Sequence, residues 1–164
     1  MVSAARWEEI DGRDWVVGAA RNKSKVDQVV PLTDGLLALI GPDRTSGFVF
    51  SSDGGKTAFS GFSKAKAALD RRLAEIRKAA GRKPMQPWVL HDLRRCARSL
   101  MSRAGVPSDH GERVLGHVIP GSRGTYDRYD FIAEKLAALE KLDAQVSRIL
   151  RPTDPVVRFP KRSD

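Results

Sequence analysis

HDLRRCARSLMSRAGVPSDHGERVLGHVIPGSRGTY, residues 91 to 126, decides how this chain folds and where its chemistry sits. Leu93, Ala97, Leu100 and Ala104 recur at i, i+4, i+7 and i+11, which predicts a helix with that stripe buried. Gly105 stops it, and Pro107 can occupy the first turn of the next helix. Residues 108–116 form a second, short helix that leaves His117 at its exit. Tyr126 follows nine residues later, past a Gly-rich turn. His91 and Arg94 stand three apart, so they share a helix face. An imidazole, a guanidinium, a second imidazole and a phenol can therefore converge on one anion. The start of a helix, where His91 falls, suits an anion as well.

Working outward, a last helix runs from about Ile132 to Leu150, with Leu136, Leu139, Leu142, Val146 and Ile149 on one side. Upstream, a long helix spans about Ser63 to Ala80. Its expected inner stripe is Ala67, Leu69, Leu73 and Ile76, and its lysines and arginines stay wet. Gly81–Pro87 breaks it, and Trp88-Val89-Leu90 packs. Thr33 and Asp34 cap a short helix that carries Leu36, Leu37, Leu39 and Ile40, and Gly41-Pro42 ends it. Residues 5–9 and 14–18 read as strands around an Asp11-Gly12 turn signal, and Gln28–Leu32 is a third strand. Phe48-Val49-Phe50 is a short apolar strand or an extended core segment, and Ser51–Gly55 is a polar loop. The fold class is α+β, mainly α-helical, with a small antiparallel sheet near the N-terminus. One domain covers residues 1–150, and residues 151–164 form a tail with Val156, Val157 and Phe159.

The bulk numbers fit one domain with a real core: 164 residues, 41% of them hydrophobic. Lys plus Arg is 29 against 20 for Asp plus Glu, a net charge of +9. Arginine dominates the excess, and its fork grips phosphate bidentately, so a polyanion is the favoured partner. Charge alone leaves a basic protein with no anionic ligand equally open. The single cysteine, Cys96, excludes an intrachain disulfide and reads as a small buried hydrophobe. There is no apolar run long enough for a membrane span, no zinc spacing, no P-loop and no dinucleotide fingerprint. A cytoplasmic protein without cofactor or metal is expected.

Each polar residue also has a plainer role. His91-x-x-Arg94 arises easily in an Arg-rich chain, and His91 can simply make a local hydrogen bond at a helix start. His110-x-x-Arg113 is a second such pair and is taken as chance. Arg95 points about 100° away from Arg94 on a helix and meets the polyanion or an acidic neighbour. Lys23 can be a solvated turn lysine. Tyr129 rivals Tyr126, and its plainer role is a packing residue with a wet hydroxyl. The ensemble, in one order within 36 residues, carries more weight than any member.

The motifs His91-Asp92-Leu93-Arg94-Arg95, Leu115-Gly116-His117 and Gly124-Thr125-Tyr126 resemble the catalytic domain of the tyrosine recombinases, the phage integrase family. Lys23, eight residues before Pro31 in Val29-Val30-Pro31-Leu32, is similar to that family's hairpin lysine. The resemblance runs from Arg6-Trp7 to about Leu150. It implies a tyrosine-recombinase-like fold and site-specific recombination or integration through a 3′-phosphotyrosine. It implies that Tyr126 attacks, that Arg94 clamps the phosphate, and that His91 assists proton removal or supports the transition-state charge. His117 would donate to a phosphate oxygen, and Lys23 would protonate the leaving 5′ oxygen. Arg95, Lys25, Arg21 and Arg123 are the further residues expected to meet DNA. The implied partners are double-stranded DNA and other recombinase protomers, with the tail docking on a neighbour or on its own domain. The family also has a catalytic arginine on a helix upstream of the first strand, and an N-terminal DNA-binding domain. Neither has a counterpart in these residues, so an N-terminally truncated domain with little activity of its own is expected. The alternative is an inactive basic DNA-binding remnant, or a regulator of a full-length recombinase.

Overall fold

The computed structural model describes residues 2–22, 25–41, 46–117 and 130–151. Two short 3-10 turns, Val2–Ala4 and Trp7–Glu9, lead into β1 (Ile10–Asp11), β2 (Asp14–Val17) and β3 (Gln28–Pro31). The strands form an antiparallel sheet in the order β1-β2-β3. Five helices follow among the described residues: α1 (Asp34–Ile40), α2 (Phe62–Ala79), α3 (Leu90–Arg103), α4 (Ser108–Val114) and α5 (Ile132–Leu150). The architecture is α+β and mainly helical, as the periodicities predict.

The hairpin pairs Asp11 with Asp14, so its loop is Gly12-Arg13, with Gly12 at φ +58°. The expected strand over residues 5–9 is not one. Glu9 folds its carboxylate back onto the Arg6 backbone N–H (3.1 Å) and also accepts from Trp15 Nε1 (3.1 Å), which winds the chain into a turn. Phe48 forms an isolated bridge to Arg6 rather than a strand, and its N–H bonds Gly55 O at 2.9 Å. The α1 start is as expected: the Thr33 hydroxyl accepts from Leu36 N at 3.2 Å.

The core lies where α3, α4 and α5 meet. Met101, Val106 and Ala138 are buried there, with Val114, Leu115 and Leu142 packed against them. A second buried group, Ala5, Trp7, Val17 and Leu32, sits by the sheet. Lys135 of α5 is only 8% exposed and donates to Val29 O at 2.7 Å, tying α5 to β3. Burial pushes its ammonium below the usual lysine range, against the pull of Asp130 and Asp14.

Several faces differ from the periodic reading. On α3 the expected stripe is turned outward at its start: Leu93 is 58% exposed, whereas Met101 is fully buried. The inward line is Arg94, Arg98 and Met101, because α4 offers that face a carbonyl and a carboxylate rather than apolar surface. Cys96 is exposed rather than buried. On α5, Lys135, Ala138 and Gln145 are the buried residues, the expected Leu136, Leu139, Leu142 and Val146 are half-buried beside them, and Ile149 is exposed. On α2, Ala67, Leu69 and Ile76 face out, and no residue of the helix is fully buried. The face of α2 that makes contact is polar: Asp70 accepts from Trp88 Nε1 at 3.0 Å, and Lys66 lies 4.1 Å from the Trp88 ring centroid. The chain returning after α2 docks on that face, where Leu73 is half-buried, and leaves Ala67, Leu69 and Ile76 uncovered. Trp88 is half-buried, while Val89 and Leu90 remain exposed.

Candidate phosphate site

The short helix α4 ends on glycine for a reason that shapes the site. Gly116 has φ +68°, its N–H bonds Arg113 O (3.0 Å), and the next N–H, that of His117, bonds Glu112 O (3.0 Å). This is the double bond pattern of a Schellman cap, and it needs a left-handed residue at that point. A side chain at Gly116 would also meet the Gln28 carboxamide at 2.7 Å. The cap carries His117 out of the helix and back against α3.

Gly116→Ala is accordingly expected to cost about 1–2 kcal/mol for the left-handed backbone. Thermal unfolding should show a Tm lower by roughly 2–8 °C. An unchanged Tm would mean that the cap is not needed.

Arg94 meets this exit from the α3 side. Its Nη2 donates to Leu115 O and lies 2.8 Å from His117 Nε2. Both bonds use one nitrogen, so the guanidinium keeps Nε and Nη1 donors for other acceptors. A cation on the last carbonyls of α4 also suits the helix dipole. Arg94 cannot accept, so His117 Nε2 presents its lone pair, and Nδ1 carries the proton that bonds Glu112 Oε2. The Glu112 carboxylate is also gripped by Arg98 Nε at 2.8 Å. The hydrogen bond from Arg98, then that from His117, hold its carboxyl below the usual range. Three of the four groups in this chain of contacts are cationic or can become so, and the fourth is a single carboxylate.

His91 is exposed, in the first turn of α3. It lines the same open groove as Arg94, together with Val2, Val49, Phe50 and Phe59. The structure thus brings Arg94 and His117 into contact and puts His91 beside Arg94. Lys23, Tyr126 and Arg123 lie outside the described residues, as does Tyr129. Among the residues expected to meet DNA, Arg95 is exposed and bonds Asp92 Oδ1 at 2.7 Å. Arg21 is bound by Glu9 and by Ala4 O. Lys25 is exposed, with φ +57°. His110 and Arg113 belong to packing: the Arg113 guanidinium lies 3.5 Å from the Phe131 ring centroid, and the His110 ring is 6.4 Å away. Glu112 and Arg98 were not foreseen. A usable signal exists, since a glycine at the residue after a helix end makes the residues five apart across it, here 112 and 117, neighbours.

Prophage integrase IntA of Escherichia coli (strain K12) is 33% identical to this chain over 138 residues, which is 80% of the chain and 31% of that protein. The similarity supports a relationship to integrases, and the chain spans less than a third of the relative it matches. No protein-family model matches the chain. No solved structure matches it. Among the described residues no helix is long and apolar enough to cross a membrane.

Proposed function

We propose that the relationship to integrases extends to chemistry, and that this chain is part of a tyrosine-recombinase catalytic domain that cuts and rejoins DNA through a 3′-phosphotyrosine. The observation that carries the reading is the 2.8 Å approach of Arg94 Nη2, on α3, and His117 Nε2, at the exit of α4. The histidine and arginine of two separate sequence motifs meet at one point, with His91 on the adjoining turn.

In this reading the Tyr126 oxygen attacks the phosphorus and a P–O bond forms. The phenolic proton passes to His91. The P–O5′ bond breaks, and the departing oxygen takes a proton from Lys23. Arg94 and a protonated His117 hold the non-bridging oxygens as charge builds on them. A phenol ionises near pH 10, so it needs such a cationic field to act near neutrality. One phosphoester replaces another, so rejoining by a 5′ hydroxyl needs no ATP. Arg95, Lys25, Arg21 and Arg123 would hold the backbone of double-stranded DNA, and further recombinase protomers would complete the assembly.

The test is a duplex nicked so that cleavage is irreversible. A covalent protein–DNA adduct on a denaturing gel is the expected product. Little adduct is expected from this chain alone, so its complete absence after prolonged incubation of a chain that binds the duplex overturns strand transfer and leaves a DNA-binding module. Binding itself should be electrostatic: affinity for duplex DNA should fall at least roughly tenfold between about 50 and 200 mM salt, read by fluorescence anisotropy. A flat salt response would remove phosphate contacts from the account.

A further inference from the structure

We propose that Glu112 is a positioning residue for His117, fixing the tautomer and direction of the imidazole that meets the phosphate. The inference rests on the phosphate-site reading above and adds to it a residue that neither motif contains.

Glu112 holds His117 twice. Its backbone carbonyl accepts the His117 N–H at 3.0 Å, and its carboxylate takes Nδ1–H. The first bond fixes where the residue leaves α4, and the second fixes the ring about its own axis. With Nδ1 committed, Nε2 is the nitrogen turned to Arg94. The carboxylate is itself held. Arg98 donates Nε to Glu112 Oε1 at 2.8 Å and Nη2 to the Ser108 hydroxyl at 2.8 Å, spanning the start and middle of α4. Gly111 is buried beneath that arm, and a Cβ there would touch the Arg98 guanidinium at 3.4 Å. Arg98, Glu112, His117 and Arg94 thus form a chain of contacts that leaves α3 at Arg98 and returns to it at Arg94.

The arrangement has a consequence for binding. While Nε2 accepts from Arg94, it cannot donate to an anion. An arriving phosphate oxygen takes over the Arg94 N–H, and His117 then gains a proton from solvent at Nε2 and donates it to the phosphate. The anionic carboxylate at Nδ1 offsets the new positive charge without turning the ring. A ring that rotated freely would present either nitrogen and lose part of that alignment.

The experiment uses the whole chain, 15N-labelled, with two-bond imidazole spectra recorded at mildly alkaline pH and inorganic phosphate as the probe. The parent should show His117 protonated at Nδ1. Glu112→Gln, whose carbonyl oxygen still accepts, should keep that tautomer. Glu112→Met, of similar length but with no acceptor, should give a mixture and bind phosphate about tenfold more weakly. Glu112→Ala repeats the Met result where that variant fails to fold. A Met variant with the parent's tautomer and phosphate affinity overturns the role of Glu112 alone. A parent whose His117 and Arg94 signals ignore phosphate overturns the phosphate site itself.

Discussion

Tyr126→Phe forms no covalent adduct with nicked duplex DNA, while its affinity for that duplex stays within about twofold. The variant removes one oxygen, the atom that would bond phosphorus, so no slower version of the same step remains. Binding survives because it resides in cations, and a phenol contributes little to counterion release. Tyr129→Phe is the matched control, since it deletes the same atom three residues on and should leave the adduct intact. The assignment comes from the nine-residue interval after His117. Adducts that persist in the first variant and vanish in the second would transfer the nucleophile to Tyr129.

Arg94→Ala has the next largest effect, with the rate of adduct formation falling about 10²–10³-fold, the loss typical when one preorganised donor to a developing charge is removed. Arg94 also caps α4 through Leu115 O, so stability should fall by about 0.3–1 kcal/mol. The two effects separate cleanly. A cap loss of that size cannot empty the folded state of an ordinary domain, so a large rate loss with a small Tm change marks the chemical role. Arg94→Lys keeps the charge but not the planar fork, and should recover only part of the rate. An Ala variant within about threefold of the parent would reduce Arg94 to a helix cap.

Helix positions were legible in the sequence, and helix faces only in part. Gly105 and Thr33 are local devices that the chain obeys where they stand, whereas Pro107 sits at the N-cap of α4, just ahead of the first turn expected for it. Which side of a helix turns inward depends on what arrives from elsewhere. Leu93 and Leu69 look like core by period, yet α4 presents Leu115 O and Glu112 to α3, and the 82–88 segment presents Trp88 to α2. Polar stripes therefore won over apolar ones on both helices. The first strand failed for a similar reason, because Glu9 found Arg6, Trp15 and Arg21. Of the candidate site, Arg94 and His117 were readable as motif members. Their direct contact was not, because it depends on how α3 and α4 cross. Glu112 stayed hidden because an acid five residues before a histidine looks solvated until the left-handed cap folds the two together.

That cap ties chain length to chemistry. Residues 112 and 117 are joined by main chain and side chain at once, and one added or deleted residue between them would turn the helix end by about 100° relative to its exit. The imidazole would swing off the guanidinium even if every original side chain were kept. This hexapeptide is closed to indels, and its count of residues acts as a ruler for the site.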